Sequence, residues 1–140
     1  MCKAYNPDRL SLYTHSTDFF ILIRIGGETM RISKETAQKL WKERYGESTI
    51  VKDFNGSYMY CDAYGKRNYS RQIDGKNVLC GWNIHHINPQ SNGGKNSKGN
   101  LACTNFITNE AAGNKSTYWI DGKKYQVRKT GKNSYCVCKL

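Results

Sequence analysis

The chain has 140 residues, enough for one domain or for a small core with a compact extension. Its 22 Lys and Arg against 11 Asp and Glu give a formal net charge of +11, which argues for a polyanionic partner such as DNA or RNA. The excess is uneven, since residues 76–140 carry a net +8 and residues 1–75 a net +3.

Met1-Cys2-Lys3-Ala4-Tyr5 leads into polar sequence without a signal-peptide pattern, and the longest apolar run, Phe19 to Ile23, is too short to span a bilayer. The expectation is a cytoplasmic protein that makes no membrane contact, with its six cysteines reduced. Residues 1–18 show no period and read as an irregular lead-in, in which His15 is an isolated surface residue. Phe19 to Ile25 and Glu28 to Ser33 flank Gly26-Gly27, which predicts a hairpin. Ser33 is placed to cap a helix from Lys34 to about Tyr45, stopped by Gly46, with Ala37, Leu40, Trp41 and Tyr45 as its apolar stripe. Lys39, Lys42 and Arg44 are expected away from that stripe, within reach of phosphate.

A second hairpin is expected from Thr49 to Phe54 and Ser57 to Ala63 around Asn55-Gly56, with Tyr58, Tyr60 and Tyr64 sharing a face. Lys66, Arg67 and Arg71 follow, interleaved with Asn68, Tyr69 and Ser70. Such interleaving suits phosphate and base contact, and equally an ordinary half-exposed strand. Around Asp74-Gly75, a third hairpin is predicted from Arg71 to Ile73 and Lys76 to Trp82, its second strand delivering His85 and His86. After a loop rich in Asn, Gly and Lys, Asn100 to Cys103 should form a short return strand. Thr104 is expected to cap a helix through about Ala112, with Phe106, Ile107 and Ala111 in the core and Gly113 as the stop. The tail reads as strands from Thr117 to Ile120, Lys123 to Lys129 and Asn133 to Lys139, turning at Asp121-Gly122 and after Gly131.

Two adjacent histidines at the end of a strand point to opposite faces and therefore serve different purposes. Neutral imidazole near pH 7 either holds a metal or accepts a proton, so one can do each. His85-His86, the loop Asn88-Pro89-Gln90-Ser91-Asn92-Gly93-Gly94, Asn100-Leu101, and then Asn109 and Lys115 together resemble the HNH (ββα-metal) endonucleases, over about Gly81 to Lys115. The resemblance implies an α+β fold of small antiparallel hairpins with a ββα-metal element and an N-terminal hairpin plus helix. Residues 1–70 would serve substrate contact or packing, and residues 71–140 would be the nuclease core with a basic C-terminal hairpin.

By that resemblance His86 is the general base, Asn100 braces the loop, and His85 and Asn109 hold one divalent metal. Many relatives carry Asp where His85 stands. The all-neutral ligand set leaves the ion open among Mg²⁺, Mn²⁺, Zn²⁺ and Ni²⁺. The implied reaction is phosphodiester hydrolysis in nucleic acid, double-stranded DNA in the first instance, by a monomer or homodimer. Phosphate contacts are expected from Lys66, Arg67, Arg71, Lys95, Lys115, Lys123, Lys124 and Arg128. No Cys-x-x-Cys pair occurs, the side chains of Cys136 and Cys138 are expected on opposite faces of a strand, and a structural zinc is not expected. The competing classes are a catalytically silent nucleic-acid-binding or regulatory protein on the same fold and a zinc-stabilised interaction module.

Overall fold

The computed structural model describes residues 22–23 and 31–140. The irregular lead-in, His15 and the Gly26-Gly27 turn lie outside the described residues. Strand β1 (Leu22–Ile23) pairs antiparallel with β2 (Arg31–Ile32), as the first hairpin requires. Helix α1 (Lys34–Tyr45) opens on Ser33, whose hydroxyl accepts from the Thr36 N–H at 3.2 Å. Gly46, at φ 60, ends it by donating its N–H to the Lys42 carbonyl.

Among the described residues the fold is α+β: two α-helices and small antiparallel sheets. Strands β3 (Ile50–Lys52) and β4 (Tyr58–Tyr60) form one hairpin, and β5 (Ser70–Ile73) and β6 (Lys76–Leu79) form the next. Strand β7 (Trp82–His86) then pairs with β8 (Leu101–Asn105), which runs directly into helix α2 (Phe106–Ala112). The last sheet has the order β11-β10-β9, from β9 (Thr117–Ile120), β10 (Lys123–Gly131) and β11 (Ser134–Lys139). Both Asp-Gly turns have their two central residues at positive φ (Asp74 51, Gly75 77; Asp121 50, Gly122 74), the conformation that a two-residue type I′ hairpin demands. No helix among the described residues is long and apolar enough to cross a membrane.

The β7–β8 ribbon lies between two cores. One gathers Ala37, Leu40 and Trp41 of α1 with Met59, Ala63, Trp82, Leu101 and Cys103, and it draws on both halves of the chain. The other holds Ile87, Ala102 and Ala112 against Tyr118, Ile120, Tyr125 and Val137. Every residue of β8 is therefore buried. Trp82 is fully buried, tilted against Trp41 at 4.9 Å between ring centroids, and donates its indole N–H to the Tyr60 carbonyl.

Several expectations are corrected. The strand from Lys76 does not run on to Trp82. It stops at Leu79, and Cys80-Gly81 lie outside any strand, where a Cβ on Gly81 would sit 1.9 Å from the Lys66 carbonyl oxygen. The histidines therefore belong to a separate strand paired with β8. Tyr64 does not alternate with Tyr58 and Tyr60, because a 3₁₀ turn at Cys61–Ala63 intervenes. Its hydroxyl instead donates to the Ile32 carbonyl at 2.8 Å. Arg44 is not a free phosphate ligand. It is turned inward and donates to the Leu101 carbonyl at 2.5 Å, and burial lowers its pKa.

Helix α2 is capped by Asn105 rather than Thr104, which pairs with Asn83 as part of β8. Thr108 and Ala112 are its buried positions, whereas Ile107 is 45% exposed and Ala111 is exposed. Cys136 and Cys138 share a face, as residues two apart on a strand must, with their sulfurs 3.2 Å apart. Cys61, Cys80 and Cys103 are free thiols, whereas Cys138 is disulfide-bonded, against the expectation of six reduced cysteines.

The junction of β3, β8 and α2 is held by one buried carboxylate. Asp53 Oδ1 accepts from the Asn55 and Ser57 N–H groups at 3.0 and 2.9 Å, and Oδ2 accepts from the Asn105 N–H at 3.0 Å. Removing it leaves three backbone donors without their acceptor, each costing about 1–3 kcal/mol if left buried and unpaired. Asp53→Ala should lower the unfolding free energy by roughly 2–5 kcal/mol in denaturant titration. A loss under 1 kcal/mol would show that the junction is held by something else.

Candidate functional site

The end of β7, the loop after it and the C-terminal half of α2 enclose a cleft of about 300 Å³. Its walls include His85, His86, Gln90, Asn109 and Asn114. Two buried asparagines build it. Asn100, fully buried just before β8, accepts from the Asn88 N–H at 2.7 Å and donates to the Asn88 and Lys95 carbonyls at 3.0 and 2.8 Å. Its own carbonyl accepts from the Ile87 N–H at 2.9 Å. All its polar groups are used to close the loop from Asn88 to Asn100. Gly94 lets the loop pass, since a Cβ there would lie 1.8 Å from the Asn88 carbonyl oxygen and 2.9 Å from Asn100 Nδ2.

At the other end of β8, Asn105 fixes the helix. Its Oδ1 accepts from the Ile107 N–H at 2.9 Å, while Nδ2 donates to the carbonyls of Tyr58 and Leu79 at 2.8 and 2.9 Å. That cap sets the rotation of α2 and so carries Asn109 to the ribbon.

The adjacent histidines face different partners, as strand alternation predicts. His85 is buried, with Nδ1 2.7 Å from Asn109 Oδ1. Asn109 Nδ2 in turn donates to Asn83 Oδ1 at 2.8 Å, which orients the carboxamide with its oxygen toward His85. His86 is half-buried, with Nε2 2.5 Å from Asn96 Oδ1. An amide oxygen only accepts, so Nε2 of His86 carries the proton and Nδ1 keeps a basic lone pair. Burial is the main influence on both rings. It holds His85 at about 4 against an ordinary 6.5 and also lowers His86, which the Asn96 contact partly offsets.

The donor set suits a divalent cation. His85 Nε2 is buried with no hydrogen-bond partner among the described residues, leaving this ring incompletely matched by the protein. Because the Asn109 oxygen only accepts, the 2.7 Å contact is an Nδ1–H···Oδ1 hydrogen bond, and a cation shared by the two atoms would replace that proton, which would move to Nε2. Among the described residues no three His, Cys, Asp or Glu gather as ligands, so the donors here are neutral and few.

The basic side chains are less uniform. Lys66, Lys95 and Lys115 are exposed. Arg71 lies over the Tyr60 ring at 4.1 Å, and Arg128 Nε donates to Gln126 Oε1 at 3.2 Å. Lys124 stands 5.8 Å from the Trp119 ring centroid. Arg67 forms a two-pronged ion pair with Glu110, at 2.7 and 2.8 Å, and Lys123 Nζ donates to the Asn55 carbonyl at 2.7 Å. Those two are engaged within the molecule.

Sequence reasoning missed Asn83, Asn96 and Asn105. Each is a polar residue beside the motif, and the even spread of asparagine through residues 83–114 hid them. The chain matches no family model, no curated protein and no solved structure.

A buried His85 that stays neutral makes the fold acid-sensitive. Its folded pKa lies below its unfolded one, so its contribution is complete above pH 6.5 and is lost as pH falls toward about 4. With chelator present, wild type should lose about 3 kcal/mol more than His85→Gln between pH 7 and pH 4. Parallel stability curves for the two proteins would show that His85 titrates normally.

Proposed function

We propose that the protein is a metal-dependent endonuclease of the HNH (ββα-metal) type, hydrolysing phosphodiester bonds in nucleic acid. The observation that carries this is the convergence of His85 Nδ1 and Asn109 Oδ1 to 2.7 Å on the wall of the cleft that also holds His86. The strand–strand–helix order of β7, β8 and α2 supports it, as does the basic excess in residues 76–140. His85 and Asn109 are the residues that would hold a divalent cation, which supplies charge neutralisation at the reacting phosphate and the leaving oxygen.

The chain's own residues do the rest. His86 Nδ1 takes the proton from an attacking water, and the Asn96 oxygen on Nε2 holds the ring in the tautomer that leaves Nδ1 available. Lowering of the His86 pKa by burial keeps this nitrogen unprotonated below its ordinary range. Asn100 keeps the loop, and with it Asn96, in place. Exposed Lys95 and Lys115 flank the cleft and neutralise substrate phosphates. Because both ligands are neutral, much of the charge opposite the cation comes from the substrate. Transition metals should accordingly work at lower concentration than Mg²⁺.

Plasmid and oligonucleotide cleavage across Mg²⁺, Mn²⁺, Ni²⁺ and Zn²⁺, with a chelator control, tests the reading. His86→Ala should lower turnover by ~10² to 10⁴-fold while metal affinity stays near wild type. Asn109→Ala should weaken metal affinity, and excess metal should restore part of the rate. DNA binding without metal-dependent cleavage would identify a silent nucleic-acid-binding protein instead.

A further inference from the structure

Strand β9 alternates strictly, with Tyr118 and Ile120 entering the core while Thr117 and Trp119 face outward. Trp119 is 64% exposed, whereas the other two tryptophans, Trp41 and Trp82, are 3% and 0% exposed. On this outward face, shared only with Thr117, the exposed indole offers a flat surface on which a ring can stack. Its surroundings are cationic. Lys124, its cross-strand partner, stands 5.8 Å from the ring centroid, and Gln126 and Arg128 continue the same face of β10.

The other aromatic–basic cluster has its stacking faces filled from within. Tyr60 and Tyr69 stack on each other at 5.6 Å with rings 4° apart, and Arg71 covers Tyr60. Among the described residues, Trp119 is the exposed aromatic side chain. It is also close to the cleft, because Asn114 lines the cleft and Trp119 lies five positions further on, a reach of at most ~17 Å of extended chain. Exposed Lys115 lies between them.

Building on the nucleic-acid reading above, we infer that Trp119 and Lys124 form a docking platform for an unpaired nucleobase and its phosphate, next to the cleavage cleft. The preferred substrate then carries a single-stranded segment beside the scissile bond, rather than being an uninterrupted duplex. Stacking on an aromatic ring accepts any base, so the platform selects strandedness and not sequence.

The full chain carrying His86→Ala, which stops turnover, is titrated with three oligonucleotides: a single strand, a perfect duplex, and the duplex with a single-stranded overhang. Tryptophan fluorescence and anisotropy are followed together. Because Trp119 is the one exposed tryptophan, the single strand and the overhang should quench the emission and the perfect duplex should not. Adding Trp119→Ala should weaken binding of the single strand and the overhang by about 5- to 100-fold, with little change for the duplex. Trp119→Phe should recover most of the loss, and Lys124→Ala should weaken the single strand and the overhang and flatten their salt dependence, with little change for the duplex.

Equal affinities of Trp119→Ala and the Trp119 parent for every DNA would overturn the platform and leave the nuclease reading standing. So would a dimer, seen by sedimentation, that Trp119→Ala dissolves, because the edge strand β9 would then be meeting a second copy. Failure of the parent to bind any of the three DNAs would overturn both readings together.

Discussion

Strand β8 is held between two buried carboxamides, and the candidate site depends on both. Asn100, before its first residue, uses its whole hydrogen-bonding capacity on the preceding loop, while Asn105, its last, caps α2 and ties it to β4 and β6. The strand between them is inaccessible on both faces and cannot slip without moving both cores. A buried carboxamide with unmet donors is expensive, so each asparagine permits few local geometries. One geometry sets where Asn96 meets His86, and the other sets where Asn109 meets His85.

This arrangement gives the paired histidines different chemistry from similar side chains. His85 is buried beside a carboxamide oriented by Asn83, with one ring nitrogen unmatched by protein. His86 stands at the half-open end of the strand, its proton pinned on one nitrogen and its lone pair on the other. The first environment favours a ligand and the second a base. Neither proposed role needs a charged group, and in the proposed reaction the substrate phosphate would be part of the site's electrostatics.

Much of this was legible in the sequence where local chemistry decides alone. Asp74-Gly75 and Asp121-Gly122 can hardly avoid a tight hairpin turn, Ser33 caps and Gly46 stops the first helix, and Asn100 brackets the loop. The failures came where a distant contact decides. Nothing local says that Gly81 must pass against the Lys66 carbonyl, and that contact breaks the predicted long strand. Thr104 and Asn105 are both good caps, and pairing of Thr104 with Asn83 across the ribbon hands the role to Asn105. Arg44 reads as a surface cation on its helix but finds the Leu101 carbonyl 57 residues away. Placing Cys136 and Cys138 on opposite faces was an error of strand periodicity that the sequence itself could have corrected.

The central claim is that His85 and Asn109 share one cation. Titration of the ¹⁵N-labelled protein with substoichiometric Mn²⁺, followed by side-chain NMR, addresses it without relying on turnover. Paramagnetic broadening should strike the His85 ring and the Asn109 carboxamide first and most strongly, and excess Mg²⁺ should reverse it. Broadening that begins at other side chains, or that spares His85 and Asn109 throughout the titration, would contradict the account.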